Sequence, residues 1–224
     1  MRVAIFGASG MVGQGALREC LLDPETSQVI SILRAASGAP HVKLREVVHK
    51  DFLDYSPIEK ELSGVDACLF CLGVSSAGMS EEAYSRVTYD YTVATANALL
   101  RLNSGMSFIY VSGAGTDSTE RGRAMWARVK GKTENALLAM PFRAAYMFRP
   151  GFIQPLEGIE SKTASYRALY KIAAPLMSLA RRSAPHYITT TQELGRAMLA
   201  AAKRGTEKRV VEATQIREIL RQFS

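Results

Sequence analysis

The first residues in the chain whose spacing could do chemistry are three glycines, Gly7-x-x-Gly10-x-x-Gly13, inside the stretch IFGASGMVG. An uninterrupted apolar run, Val3 to Phe6, precedes them, and a segment with helical apolar spacing, Met11 to Leu22, follows. Such a run reads as a buried parallel strand, so the chain turns from strand to helix across the glycines. Gly7 suits the tight turn, Gly10 lets the backbone approach a ligand with no Cβ in the way, and Gly13 lets helix and strand pack closely. The helix would open with unpaired N–H groups and the positive end of its dipole, a setting that favours an anion such as a pyrophosphate. Gly7, Ser9, Gly10, Met11, Val12 and Gly13 are therefore the expected phosphate-binding turn of a dinucleotide site.

Further candidates recur at the ends of later apolar runs. Arg34 closes the second run, 21 positions after Gly13, where a dinucleotide fold meets the adenosine ribose. A carboxylate there would bind a ribose 2′-hydroxyl; a guanidinium suits a 2′-phosphate, so NADP is expected over NAD. Asp51 and Phe52 follow the third run and would lie beside the adenine, Asp51 accepting from its amino group and Phe52 packing on the ring, with a turn-capping role for Asp51 left open. Cys71, Leu72 and Gly73 end the fourth run at the edge where ligands bind in open α/β sheets, and Gly73 would let the backbone lie close to a cofactor. Ser112 and Gly113 end the fifth. Trp126 and Lys130 are then spaced one helical turn apart, on one face.

Six apolar runs, Val3 to Phe6, Val29 to Leu33, Leu44 to Val48, Ala67 to Leu72, Ser107 to Ser112 and Ala144 to Phe148, predict the strands that carry these residues. Helical spacing predicts helices at Met11 to Leu22, Pro57 to Leu62, Glu81 to Leu102, Ala124 to Met140 and Gln192 to Lys203. A short strand at Arg209 to Val211 and a helix at Thr214 to Phe223 close the chain. The alternation specifies an α/β fold, a doubly wound parallel Rossmann-type sheet, as one domain over residues 1–224. A small C-terminal helical lobe at about 154–188, with Tyr166, Leu169, Tyr170, Ile172, Leu176 and Leu179 at helical spacing, is where a substrate would be covered.

The set of motifs resembles the short-chain dehydrogenase/reductase superfamily, in its atypical branch with the NmrA-like and Tat-interacting-protein-like reductases. The resemblance rests on GASGMVG at 7–13, Arg34, KDF at 50–52, FIYVSGAG at 108–115, VKGKTE at 129–134 and FRPG at 148–151. It implies that Lys130 binds the nicotinamide-ribose hydroxyls, and that Arg149, Pro150, Gly151 and Phe152 lie beside the nicotinamide. It also exposes two departures. Active relatives place a tyrosine four residues before the lysine as proton donor, and Trp126 stands there; an indole N–H cannot act as a general acid near neutral pH. Relatives often carry a serine pair at the end of the fifth strand, where this chain has Ser112-Gly113. The catalytic candidates are thus Lys130 and Ser112, with Ser112 either orienting substrate or only satisfying the turn. Tyr84, Tyr89, Tyr91, Tyr166 and Tyr170 are alternative donors, each better suited to packing.

Composition narrows the function classes. The chain has 224 residues, 47% hydrophobic, enough for one full core. No apolar run reaches the roughly 18 residues of a membrane span, and Gly7 lies too near Met1 to leave room for a leader, so a cytoplasmic protein is expected. Three cysteines build no disulfide framework, and Cys68 and Cys71 fall in a strand, where their side chains point to opposite faces. His41, His49 and His186 show no metal spacing, and no metal is expected. The net charge of +7 and pI near 9.4 arise from scattered Lys and Arg without a nucleic-acid motif, which argues against nucleic acid and suits an anionic cofactor. Two readings follow: an NADP-dependent oxidoreductase or epimerase-like enzyme with an unidentified small-molecule substrate, and a non-catalytic NADP(H)-sensing regulator acting through a protein partner.

Overall fold

The computed structural model describes residues 1–38, 40–155 and 188–222. Over these the order is β1 (Arg2–Phe6), α1 (Met11–Leu22), β2 (Gln28–Leu33), β3 (Leu44–Val48), α2 (Glu59–Leu62), β4 (Ala67–Phe70), α3 (Glu81–Ser85), α4 (Tyr91–Leu102), β5 (Ser107–Val111), α5 (Met125–Ala139), β6 (Ala144–Arg149), β7 (Phe152–Gln154), β8 (Ile188–Thr190), α6 (Thr191–Arg204), β9 (Val210–Glu212) and α7 (Ala213–Gln222). Seven strands form one parallel sheet in the order β3-β2-β1-β4-β5-β6-β9. The fold is the expected doubly wound α/β sheet. The strand order reverses between β1 and β4, so their carboxyl ends flank the crevice in which such sheets bind ligands.

Apolar residues occupy consecutive strand positions because both faces are covered. Val3, Ile5, Val29 and Leu69 pack with α1, α6 and α7, whereas Ala4, Phe6, Ile30 and Phe70 pack with α2, α4 and α5. Burying each large side chain of this kind stabilises the fold by about 1.5–3 kcal/mol, so a polar substitution on either face of β1 is unfavourable. Cys68 and Cys71 belong to opposite layers, and burial pushes the Cys71 thiol up to about 12. Helix α1 lies directly on α6, since a Cβ at Gly15 would stand 2.5 Å from the Thr191 carbonyl oxygen and one at Gly195 2.8 Å from that of Gly15. Thr190 and Glu193 cap α6 reciprocally, through Glu193 N–H to Thr190 Oγ1 at 3.0 Å and Thr190 N–H to Glu193 Oε2 at 2.8 Å.

Apart from shifts of one or two residues at element ends, such as β4 closing at Phe70 before Cys71, three features differ from those predicted. The helix expected over 81–102 is interrupted by a π-turn at Arg86–Asp90, where the Thr92 hydroxyl donates to the Thr88 carbonyl at 2.6 Å. The segment expected as a helix from Pro57 begins as a 3-10 turn at Ser56–Ile58. The parallel pair β7–β8 was not predicted: three-residue strands are too short to display a period. The lobe expected at about 154–188, with Tyr166 and Tyr170, lies almost entirely outside the described residues.

Candidate functional site

The glycine turn joins β1 to α1 at the reversal in strand order. Gly7 has φ +80°, the left-handed region, and its N-terminal strand stands so close to β4 that a Cβ there would meet the Leu72 nitrogen at 2.6 Å. The Gly10 N–H donates to the Gly7 carbonyl at 2.9 Å, closing the turn. A Cβ at Gly13 would lie 2.1 Å from the same carbonyl, so α1 packs backbone to backbone on the turn. Gly10 caps α1 without a side-chain hydrogen bond, and the first helical turn carries no carboxylate. Ser9 is exposed, its carbonyl accepting from Gln14 Nε2 at 3.2 Å, and Met11 and Val12 supply the first backbone N–H groups of the helix. This end of α1 has the electrostatics of an anion site, with no carboxylate in the helix's own first turn.

Arg34 is exposed just beyond β2 and has no hydrogen bond or ion pair among the described residues. Asp51 caps a turn, its Oδ1 accepting from the Leu53 N–H at 3.0 Å and its carbonyl from His49 Nε2 at 2.5 Å. Phe52 differs from its expected role on the adenine. Its ring is 4% exposed, stacked on Tyr91 with centroids 5.7 Å apart and edge-on to Tyr55, so it is a core side chain beneath this end of the sheet.

At the other side of the crevice, Cys71 and Leu72 are half-buried and pack into opposite core layers, while a Cβ on Gly73 or on Gly113 would meet nothing within 4 Å. The Ser112 hydroxyl bonds to Thr116 Oγ1 at 2.7 Å, and Thr116 in turn donates to the Gly113 carbonyl at 2.8 Å. The Ser112 hydroxyl thus has a partner within its own turn. Lys130 reaches back from α5 to the same strand end: its Nζ donates to the Ser112 carbonyl at 3.1 Å and sits 5.5 Å from the centre of the Tyr110 ring. Burial lowers the Lys130 pKa to about 8, against the opposing charge of Glu134. Trp126, one turn earlier on α5, lies against Gly115, whose Cβ position would be 3.4 Å from the indole. Tyr84 is buried, and Tyr89 lies under Lys132 Nζ at 4.2 Å, so both serve packing.

The side chain of Arg149 is committed elsewhere than expected. Its Nε donates to both oxygens of Glu134, its Nη1 to Glu212 at 3.1 Å and its Nη2 to Glu134 and to Ser118 Oγ, the last at 2.5 Å. Glu134 is 1% exposed, and a buried carboxylate of this kind requires a cation. Arg149 therefore locks α5 to the ends of β6 and β9 rather than facing a ligand. The backbone beyond it remains at the crevice, the Pro150 carbonyl accepting from the Ala114 N–H at 2.9 Å, with Gly151 next and the Phe152 ring 66% exposed.

Sequence reasoning missed Asp117 and gave no role to Gly131 and Glu134, which it quoted only within VKGKTE. Asp117 gathers the loop after β5, accepting from the Thr119 hydroxyl and from the N–H groups of Thr119, Arg121 and Gly122, and these bonds, the Thr119 hydroxyl foremost, hold its carboxyl below the usual range. Gly131 lets that loop rest on α5, since its Cβ position lies 1.8 Å from the Asp117 carbonyl. The pattern Asp-Ser-Thr-Glu at 117–120 was a usable turn signal. No group of three or more His, Cys, Asp or Glu side chains among the described residues could hold a metal ion.

No family model matches the chain. Among curated proteins it is 27% identical over 158 residues to "Protein fmp52, mitochondrial" of Emericella nidulans, covering 67% of this chain and 66% of that protein. It is 22% identical over 233 residues to its namesake in Meyerozyma guilliermondii, covering 100% and 97%. It is 30% identical over 156 residues to "Protein HTATIP2" of Rattus norvegicus, covering 67% and 62%. The alignment thus spans just under two thirds of the Emericella and rat proteins. Among solved structures it matches a short-chain dehydrogenase/reductase family oxidoreductase from Burkholderia thailandensis, with TM-score 0.67 and 15% identity over 99% of this chain and 96% of that one. It also matches the Bordetella bronchiseptica enzyme WbmF in complex with NAD+, with TM-score 0.68 and 14% identity over 95% and 72%. The fold is that of NAD(P)-binding oxidoreductases. The fungal relatives overturn the expectation of a cytoplasmic protein, since both are named mitochondrial. No helix among the described residues is long and apolar enough to cross a membrane.

Proposed function

Because the chain belongs to the atypical short-chain dehydrogenase/reductases, alongside the Tat-interacting-protein-like proteins, we propose that it binds NADP(H) in the crevice between β1 and β4 and acts as an oxidoreductase with altered acid chemistry. The observation that carries this reading is the uncapped, carboxylate-free start of α1 beside the Gly7 turn, with Arg34, unpaired among the described residues, at the next strand end. The backbone of Gly7, Ser9, Gly10, Met11, Val12 and Gly13 would hold the pyrophosphate, Arg34 the 2′-phosphate and Asp51 the adenine edge. The chain at Cys71, Leu72 and Gly73 would border the nicotinamide half, with Pro150, Gly151 and Phe152 opposite. Bound NADPH would supply a hydride. Lys130, fixed on the Ser112 carbonyl, would donate to the ribose hydroxyls and place positive charge near the reacting end. The family's tyrosine position holds Trp126, and among the described residues the ring nearest Lys130, Tyr110, is buried, so protonation of a reduced carbonyl would fall to another donor, such as solvent.

A non-catalytic NADP(H) sensor acting through a protein partner is the second reading. It is favoured by the indole at position 126 and by the Ser112 hydroxyl already bonded to Thr116. Trp126, the one tryptophan of the chain, provides the test, because its emission overlaps the absorption of reduced nicotinamide. Titration should give tighter binding of NADPH than of NADH; equal affinities would remove the NADP assignment. Turnover of NADPH across a panel of carbonyl and other electron-poor acceptors supports the enzyme, and firm binding without turnover supports the sensor.

A further inference from the structure

The loop leaving β2 begins with Arg34 and runs to β3 at the edge of the sheet. Glu46, on β3, holds it. Glu46 Oε2 accepts from the backbone N–H of Ser37 at 3.0 Å and of Gly38 at 3.2 Å, and its Oε1 accepts from the Ser37 hydroxyl. Those bonds, the Ser37 hydroxyl foremost, hold the Glu46 carboxyl below the usual carboxylate range. Gly38 has φ +73°, the left-handed conformation in which successive N–H groups can converge on one anion. Glu46 pairs in register with Ser31, a buried position of β2, so the clasp is anchored to a rigid part of the sheet. Its other end is three residues from Arg34, whose guanidinium is unpaired among the described residues.

We propose that Glu46 is a positioning residue for dinucleotide selectivity, tying Ser37 and Gly38 to β3 so that Arg34 is presented at the strand end where a 2′-phosphate would lie. This rests on the NADP(H) reading given above. The loop between Leu33 and Leu44 spans the sheet edge, and if left free it would have to be ordered each time a cofactor bound; the clasp removes that cost before binding. A cofactor without the 2′-phosphate makes no use of Arg34 and gains nothing from it. Glu46 therefore acts on the difference between NADPH and NADH while touching neither.

Two variants separate geometry from charge. Glu46→Ala releases the loop. Glu46→Gln keeps it, because the amide oxygen can accept from both N–H groups while the amide nitrogen donates to the Ser37 hydroxyl. With affinities read from Trp126 energy transfer, Glu46→Ala should weaken NADPH about tenfold and leave NADH within about twofold, while Glu46→Gln should retain the NADPH preference. The proposal is overturned if Glu46→Ala weakens both cofactors equally, leaves their ratio unchanged or tightens NADPH. The underlying reading fails separately, and takes this proposal with it, if the unmutated protein binds both cofactors alike or if Arg34→Glu leaves the ratio as it was.

Discussion

The Nζ of Lys130 on α5 donates to the carbonyl oxygen of Ser112 at the end of β5, at 3.1 Å, so the residue at the family's lysine position is already seated on the sheet edge. Burial holds its pKa at about 8, below its ordinary value of 10.5. Between those values the unfolded chain binds more protons than the folded one, so stability rises with pH across that window, and the cost of the buried ammonium is fully present below it. Urea denaturation at a series of pH values should show this rise, and Lys130→Met should flatten it. An unchanged slope in the variant would show that another group titrates.

Restoring the family's donors is the sharpest test of the catalytic end. A Cβ at Gly113 would enter open space, and position 126 is one helical turn from Lys130, so Trp126→Tyr with Gly113→Ser should fit the existing backbone. Positioned general acids contribute about 10²–10⁴ in rate, and a gain in that range is expected in NADPH-dependent carbonyl reduction followed by absorbance. No gain beside intact NADPH binding would place the defect elsewhere than in the missing phenol.

The phosphate turn should tolerate no side chain at Gly7. Its φ of +80° and the 2.6 Å approach of the Leu72 nitrogen both oppose a Cβ. Gly7→Ala should destabilise the protein by more than about 1 kcal/mol and abolish NADPH binding, as measured by thermal unfolding and Trp126 energy transfer. A variant that keeps both would mean that β1 and β4 separate easily at this edge.

Removing the cation of the buried pair should cost far more than a surface ion pair. Arg149→Met leaves Glu134, 1% exposed, without its guanidinium, a change that typically costs about 3–5 kcal/mol. Adding Glu134→Gln should recover part of that loss in urea denaturation. If the single variant is as stable as the parent, Arg149 is free for the ligand-binding role first expected of it.

Much of the frame was legible because it is written in local patterns. The apolar runs at 3–6, 29–33, 67–70 and 107–111 are strand cores, and strand-to-helix alternation specifies a parallel sheet with both faces covered. Phe52 and Arg149 were read as ligand contacts from their places beside motifs, and the side chains instead turn to Tyr91 and to Glu134.

By itself the amino-acid order determined the Gly7, Gly10 and Gly13 turn, the strands around it, the arginine at the second strand end and the tryptophan at the tyrosine position. Each is a property of residue type and short spacing, and needs no distant partner to be read. Tertiary structure alone decided that Gly7 abuts Leu72 at the reversal of strand order, that α1 rests on α6, that Glu134 is buried against Arg149 and that Glu46 clasps the loop after Arg34. Most of these join residues far apart in sequence, and even the nearby Glu46 clasp depends on how the β2–β3 loop runs beside β3. Such contacts exist only once the sheet brings those backbones together, and no local period encodes which pairs will meet.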